Sequence, residues 1–240
     1  MKLFGLIGKS LGHSFSQSYF RNKFKELQCN DYEYALFELE NIGAFSDLVK
    51  STPELRGLNV TIPYKQEILP FLNTLDQAAQ EIGAVNTIQF TPSGLKGWNT
   101  DVIGFRESLI PMLQTHHDKA LVLGDGGASK AVQYVLTELQ IPFQLVSRKG
   151  SFSFAMLNAS LLSEYFLIIQ TTPVGMYPES KQVLPIDFEG IGPQHLVYDL
   201  IYNPAETEFL RLAKMQGAQT KNGLEMLHLQ AEAAWKIWNS

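Results

Sequence analysis

The sequence predicts an α/β fold made of two domains, with the boundary near residue 101. Short apolar runs alternate with amphipathic stretches through residues 2–62 in the order strand, helix, strand, helix, strand. A hairpin signal follows at the turn Pro92-Ser93-Gly94, and the alternation then starts again. Four later runs are almost continuously apolar, which is typical of parallel strands covered by helices on both faces.

The individual elements follow from the same periodicities. In the first series we expect strands at 2–8, 31–39 and 55–62, helices at 16–28 and 42–51, two further helical stretches, and a hairpin within 85–100. In the second series we expect helices at 101–113, 129–140 and 223–239, and strands at 120–124, 143–147, 165–170 and 195–202. On the last of these helices Gln230 falls inside the apolar band, where a buried amide needs a partner.

The composition excludes several classes of protein. The 240 residues are 45% hydrophobic and 18% charged, which is usual for a soluble globular protein, and the net charge of -5 argues against a nucleic-acid partner. The single cysteine, Cys29, cannot form an intramolecular disulfide, and neither a signal peptide nor an apolar stretch of 18 residues is found. We therefore expect a cytoplasmic protein with no membrane partner.

The stretch "VLGDGGASKA" at residues 122–131 places glycines between a predicted strand and a predicted helix. This is the context of a dinucleotide-binding turn, in which backbone N–H groups at a helix N-terminus hold phosphates. Ser129 replaces the third glycine of the usual fingerprint, and Asp125 adds an acid to the turn. A tight turn without a ligand is the alternative interpretation.

The end of the second strand of this series bears on the choice of nicotinamide cofactor. Enzymes that use NAD place an acidic residue there for the ribose 2′-hydroxyl, whereas this chain reads "LVSRKG". Arg148 and Lys149 are suited to a 2′-phosphate, and the Arg148 guanidinium can also stack on adenine. Two solvated basic residues in a surface loop are the alternative.

Polar residues stand at other predicted element ends, where they are equally open to structural explanations. Ser14 or Ser16 precedes a helix and could be its N-cap, and Asp101 could cap another helix. Asn59, Thr61, Lys65 and Asn86 flank strand ends, where site residues are common. No G-x-S-x-G elbow is present, and the histidines have no ligand spacing, so neither serine hydrolase nor metal chemistry is supported.

Eight blocks taken together resemble the shikimate dehydrogenase family over nearly the whole chain. They are "GHSFS", "LNVTIPYK", "IGAVNTI", "GWNTD", "LGDGGASKA", "TTPVGM", "YDLIYNP" and "NGLEMLHLQAE". The resemblance implies NADP-dependent, reversible reduction of 3-dehydroshikimate to shikimate in aromatic amino acid (chorismate) biosynthesis. It also implies a substrate-binding and catalytic domain at 1–100, completed by the C-terminal helix at about 223–240, and a Rossmann-type NADP-binding domain at 101–222. The active-site cleft would lie between them, in a monomer or a homodimer.

The resemblance also implies roles for individual residues. Lys65 and Asp101 match the catalytic pair, and both also match substrate positions. The other expected substrate residues are Ser14, Ser16, Asn59, Thr61, Asn86, Tyr202 and Gln230. The expected NADP-binding residues are Gly124, Asp125, Gly126, Gly127, Ala128, Ser129, Ser147, Arg148, Lys149, Leu200, Gly223 and Met226. No metal site is expected.

The implied chemistry agrees with these residue types. Hydride addition to a ketone leaves negative charge on its oxygen, which an ammonium such as that of Lys65 can stabilise and protonate, while Asp101 would orient the lysine and favour its charged form. Asp125 and Ser147 depart from the family's usual Ala and Asn, and Gln170 replaces another Asn. Two alternatives remain open: an NAD-using quinate/shikimate dehydrogenase and a non-catalytic nucleotide-binding sensor.

Overall fold

In the computed structural model, residues 1–12 and 14–240 are described, and they form two compact units. Unit 1 contains residues 1–100 and 231–240, and unit 2 contains residues 101–230. The mixture of helices with a purely parallel sheet in unit 2 confirms the predicted α/β class. The assignment of substrate and cofactor to separate domains is functional and stays a prediction.

Unit 1 is built on a six-stranded sheet in the order β2-β1-β3-β5-β6-β4. Its strands are β1 Lys2–Gly8, β2 Tyr32–Glu38, β3 Leu55–Val60, β4 Thr74–Leu75, β5 Thr87–Thr91 and β6 Gly94–Trp98. Its helices are α1 Phe15–Glu26, α2 Phe45–Ser51, α3 Tyr64–Glu67 and α4 Gln77–Ile82. β1 pairs in parallel with β2 and β3, and β5 and β6 form the expected antiparallel hairpin.

The side chains of β1 show that both faces of this sheet are covered. Leu3 and Ile7 face one apolar cluster, and Phe4 and Leu6 face a second cluster on the opposite side, as expected for side chains that alternate along a strand. The second cluster includes the end of the last helix, α9 Leu224–Trp238, where Trp238 donates from Nε1 to the carbonyl of Ile88 at 3.0 Å. The C-terminal ten residues therefore belong to unit 1, and Trp238 lies in its core.

Unit 2 contains a five-stranded, entirely parallel sheet in the order β8-β7-β9-β10-β11. Its strands are β7 Ala120–Leu123, β8 Phe143–Val146, β9 Leu167–Gln170, β10 Leu196–Asp199 and β11 Gln219–Lys221. The helices that begin in or near this part of the chain are α5 Thr100–Leu109, α6 Gly127–Glu138, α7 Ala159–Leu162 and α8 Glu208–Met215. Counted within unit 2, the strand order is 2-1-3-4-5, a doubly wound arrangement whose ligand site lies beyond the carboxyl ends of the first and third strands. Those strands are β7 and β9.

Several observed elements differ from the predicted ones; the helix expected at 101–113, for example, ends at Leu109. The strand expected at 195–202 ends at Asp199, because the Asp199 carboxylate accepts the N–H of Ile201 at 3.0 Å and turns the chain. The helix expected at 129–140 starts two residues earlier, at Gly127. The short elements β4, β11, α7 and α8 have no counterpart in the sequence-based assignment.

Candidate active site

The polar residues of unit 1 gather where β1 and β3 end. Ser14 is the N-cap of α1, accepting from the N–H of Gln17 at 3.4 Å, and Ser16 lies in the first turn of that helix. Thr61 follows β3 directly and donates its N–H to Ile7 on β1 at 2.9 Å. Because β1 and β3 are parallel neighbours, their carboxyl ends bring these side chains to one edge of the sheet.

Lys65 and Asn86 are fixed to this edge through backbone hydrogen bonds. Val85 donates to the carbonyl of Lys65 at 2.7 Å, which ties the short helix α3 to the segment before β5. The carbonyl of Asn86 in turn accepts from the N–H of Val60 on β3 at 2.9 Å. The sequence-predicted residues of unit 1 therefore occupy one neighbourhood, and their roles in binding or catalysis stay predictions.

Two residues that the sequence analysis did not single out connect this cluster. The Tyr34 hydroxyl donates to Asn59 Oδ1 at 2.8 Å, and the Ser16 side chain hydrogen-bonds to the same hydroxyl. The Thr87 hydroxyl accepts from Asn59 Nδ2 and donates to Asn86 Oδ1, each at 3.1 Å. Both residues are completely buried, and their only sequence signal is the inward position of Tyr34 in an alternating strand and the adjacency of Thr87 to Asn86.

Asp101 lies in unit 2, in the first turn of α5. The helix begins at Thr100, so Asp101 is inside the helix rather than at the N-cap position that was the structural alternative for it. Asp101 is 8% exposed, and the positive end of the helix dipole favours a carboxylate in the first turn. The location is therefore explained without assigning the carboxylate to capping.

The glycine-rich turn connects β7 to α6, as predicted. Gly124 has φ +113, and a Cβ at this position would lie 2.7 Å from Thr172 and 2.8 Å from the Thr171 hydroxyl, so only glycine fits without strain. Side chains added at Gly126 or Gly127 would meet nothing within 4 Å. The exposed backbone at the start of α6 is thus open to a ligand, which fits the pyrophosphate of a dinucleotide.

Asp125 and Ser129, the two non-glycine residues noted in the glycine-rich stretch, have different environments. Asp125 is exposed, so its carboxylate is hydrated and does not block the backbone. Ser129 is completely buried, and its hydroxyl accepts from Gln133 Nε2 at 2.9 Å. Ser129 therefore occupies the place where the third glycine of the fingerprint permits close packing of helix on strand.

The turn after β9 lies against the glycine turn. Thr171 donates from both its N–H and its hydroxyl to the carbonyl of Leu123 at 2.9 Å. The Gln170 side chain is completely buried and secures the same turn, since it accepts from the N–H of Thr172 at 2.7 Å and donates to the carbonyl of Val174 at 3.0 Å. The departure at Gln170 is therefore compatible with an ordered turn at the ligand edge of the sheet.

The basic segment follows β8 at the same edge. Ser147 is 5% exposed, whereas Arg148 and Lys149 are exposed. Arg148 borders a cavity of about 370 Å³ that is also lined by Phe154, Val174 and the segment 182–185. The cavity has room for an aromatic base beside a guanidinium group.

The remaining expected residues of unit 2 lie after β10 and in α9. The N–H of Leu200 donates to the carbonyl of Gln170 at 3.0 Å, and the N–H of Gly223 donates to Ile201 at 3.0 Å. Met226 is 6% exposed in the first turn of α9, Gln230 is half-buried in the same helix, and Tyr202 is exposed. Leu200 and Gly223, two of the expected NADP-binding residues, are thus brought together.

Within residues 1–12 and 14–240, no cluster of three or more His, Cys, Asp or Glu side chains could hold a metal ion. His117 is 4% exposed, and its ring nitrogens bond to the Gln114 N–H and the Gln194 carbonyl. His13, part of the first family block, lies outside the described residues. In the same described part of the chain, no helix is long and apolar enough to cross a membrane.

Comparison with known proteins decides the family. A family model described as the shikimate dehydrogenase substrate binding domain matches residues 6–88. The curated shikimate dehydrogenase (NADP(+)) of Methanosphaera stadtmanae is 36% identical, in an alignment that covers 98% of this chain and 90% of the relative. The chain belongs to the shikimate dehydrogenase family. The resemblance inferred from the eight sequence blocks is confirmed.

Solved structures of family members have the same fold. A shikimate 5-dehydrogenase from Thermus thermophilus, in complex with NADP(H) and shikimate, superposes with a TM-score of 0.86 at 30% identity, covering 99% of this chain and 93% of that one. A quinate dehydrogenase from Corynebacterium glutamicum, in complex with NAD, gives a TM-score of 0.88 at 26% identity, with coverage of 99% and 93%. Fold similarity alone therefore does not separate the two activities within the family.

Proposed function

We propose that this protein catalyses the reversible, NADP-dependent reduction of 3-dehydroshikimate to shikimate in aromatic amino acid (chorismate) biosynthesis. The observation that carries the proposal is the similarity to NADP(+)-dependent shikimate dehydrogenases over nearly the whole chain. The polar cluster around Lys65 in unit 1 and the glycine turn at the switch point of unit 2 support it. We place the protein in the cytoplasm, because its one cysteine, Cys29, is free and suits a reducing compartment.

The cofactor residues fit a dinucleotide phosphate. The open backbone at Gly126 and Gly127 would hold the pyrophosphate, and Ser147, Arg148 and Lys149 would hold the 2′-phosphate. Leu200, Gly223 and Met226 would border the nicotinamide, and Asp125, Ala128 and Ser129 would complete the turn. NADPH, when bound, supplies the hydride that adds to the carbonyl carbon of the substrate.

The protein's own groups supply the electrostatics and the proton. The Lys65 ammonium would stabilise the negative charge that develops on the carbonyl oxygen and would carry or relay the proton that this oxygen receives. Asp101 would orient Lys65 and would accept a substrate hydroxyl. Ser14, Ser16, Asn59, Thr61, Asn86, Tyr202 and Gln230 would bind the carboxylate and hydroxyls of the substrate.

A second candidate is the NAD-dependent oxidation of quinate or shikimate, which the similarity to the Corynebacterium quinate dehydrogenase favours. Against it, the chain after β8 continues with Ser147, Arg148 and Lys149 and has no acid to receive a ribose 2′-hydroxyl. A monomer and a homodimer are both compatible with the proposed activity. A non-catalytic nucleotide-binding sensor is the third candidate, and it would show no turnover.

One assay separates these candidates. The purified chain is incubated with shikimate or quinate, each with NADP or NAD, and the absorbance of the reduced nicotinamide is recorded. We expect the highest kcat/KM for shikimate with NADP. Higher kcat/KM for quinate with NAD would establish the second candidate. The absence of turnover with all four pairs would favour the non-catalytic sensor.

A further inference from the structure

The side chain of Asn59 is held by hydrogen bonds at both ends of its amide. Its oxygen accepts from the Tyr34 hydroxyl at 2.8 Å. Its nitrogen donates to the Thr87 hydroxyl at 3.1 Å and to the carbonyl of Asn86 at 3.3 Å. Asn59 is half-buried and lies near the end of β3, at the sheet edge that carries Ser14, Ser16 and Lys65.

These partners determine which way round the amide sits. A backbone carbonyl can only accept, so the atom of Asn59 that faces the Asn86 carbonyl has to be the NH₂ nitrogen. A hydroxyl can act in either direction, and Tyr34 is protonated because burial raises the pKa of its hydroxyl, so it donates to the remaining Asn59 oxygen. The Asn86 carbonyl thus sets the polarity, and Tyr34 and Thr87 match it.

The count of donors and acceptors then limits what Asn59 can offer to a ligand. An amide has two N–H donors and one oxygen with two acceptor positions. Both donors are used, one by Thr87 and one by the Asn86 carbonyl, whereas Tyr34 uses one of the two acceptor positions. The remaining position accepts a hydrogen bond, so it suits a hydroxyl and repels a carboxylate.

Tyr34 and Thr87 cannot contact a ligand themselves. Both are completely buried, and the Tyr34 ring is stacked on Phe20 at a centroid distance of 4.7 Å. The Thr87 hydroxyl accepts from Asn59 and donates to Asn86 Oδ1, which also accepts from the N–H of Thr100 at 2.7 Å. They act on a ligand only through the amides they hold.

We propose that Tyr34 and Thr87 are positioning residues that lock the Asn59 amide with its oxygen available, so that this point of the site selects a ring hydroxyl of the substrate rather than its carboxylate. The inference rests on the proposed function, since it takes shikimate as the ligand. Shikimate carries three hydroxyls and one carboxylate. A site that accepts a hydroxyl and repels the carboxylate at Asn59 therefore helps to set the orientation of the ring.

The first experiment compares variants that change one hydroxyl each. Tyr34→Phe keeps the stacked ring, and Thr87→Val keeps the branched shape of the side chain. Each should raise the KM for shikimate about 3- to 10-fold, the usual effect of one hydrogen bond, with kcat and the KM for NADP within twofold. Thr87→Ser retains a hydroxyl and should restore the wild-type KM.

The matched control is Tyr64→Phe. Tyr64 is another buried tyrosine of unit 1, and its hydroxyl donates to the carbonyl of Leu39 at 2.5 Å, not to Asn59. A purely structural effect of losing a buried hydroxyl would appear in this variant too, as a lower melting temperature without a change in KM. Melting curves of every variant establish that it is folded.

The second experiment tests the polarity itself with three shikimate analogues, each lacking one ring hydroxyl, as competitive inhibitors. One analogue should bind several-fold more weakly than the others to the wild type, and Tyr34→Phe should reduce that difference. An unchanged KM in Tyr34→Phe and Thr87→Val, or an unchanged analogue ratio, would overturn the inference while shikimate turnover by the wild type upholds the proposed function. Absence of shikimate turnover by the wild type would overturn both.

Discussion

The carbonyl oxygen of Leu200 lies against the Cα of Gly223 so closely that a methyl group at position 223 would overlap it. The approach joins the segment after β10 to the residue that precedes α9, and the hydrogen bond from Gly223 N–H to Ile201 fixes it. Both residues are expected beside the nicotinamide.

Gly223→Ala should therefore displace this junction. The obstacle is backbone rather than a flexible side chain, so the strain is about 1 to 3 kcal/mol, and the KM for NADP should rise by roughly 5-fold or more. Steady-state kinetics with shikimate held at saturation measure the change. Gly192→Ala is the control, since a Cβ there meets nothing within 4 Å, and an equal effect in both variants would contradict the argument.

Lys65→Ala should lower kcat by roughly 10²- to 10⁴-fold, the usual range for the loss of a proton-transferring group. The fold should persist, because Lys65 contributes its backbone carbonyl, which alanine retains, to the contact with Val85. Single-turnover rates measure the effect, with Lys50→Ala at the end of α2 as the control. A near-normal rate would remove Lys65 from the mechanism.

Asp125→Ala should lower the KM for NADP about 2- to 5-fold, and more at low salt than at high salt. The carboxylate is exposed in the turn expected to bind pyrophosphate, where like charges repel across a screened distance. Initial rates at two ionic strengths test this. Asp118→Ala is the matched control, because Asp118 is also exposed but precedes β7, at the opposite edge of the sheet from the turn. If cofactor affinity at low salt is unchanged, the acid has no effect on the site.

The pH dependence of stability should carry a contribution from Asp199. Burial raises the pKa of Asp199 to about 6, although its oxygens accept from the Thr207 hydroxyl at 2.6 Å and from the N–H of Ile201. The folded state therefore binds a proton more readily than the unfolded state, whose carboxyl has the ordinary value of 3.8, so this group's contribution to stability falls as the pH rises from about 4 to 6.

Denaturant unfolding of the wild type and Asp199→Asn tests this sign. The free energy of unfolding of the wild type relative to the variant should decrease by about 2 to 3 kcal/mol between pH 4 and pH 7. Asparagine loses one acceptor, which shifts the whole curve but does not create a slope. A pH-independent difference between the two proteins would show that Asp199 does not titrate in this range.

Much of the fold could be predicted because burial leaves a periodic trace in the sequence. The apolar runs of β1, β7 and β9 are direct consequences of two covered faces. The two-residue strand β4 and the three-residue strand β11 are too short to show a period, so they could not be predicted from the sequence. The end of β10 depends on a side chain, Asp199, bonding to Ile201, and periodicity does not register that bond.

The sequence by itself determined the family, the parallel arrangement behind the glycine turn, and the candidate residues, because these depend on residue types in a fixed order along the chain. Only the tertiary structure decided the 2-1-3-4-5 strand order and the contact of the turn after β9 with Gly124. The tertiary structure alone revealed that Tyr34 and Thr87 hold Asn59, because these three residues lie on three different strands, β2, β5 and β3. A hydrogen bond between distant segments depends on where the sheet places them, and sheet register is set by the packing of the whole core rather than by any local stretch.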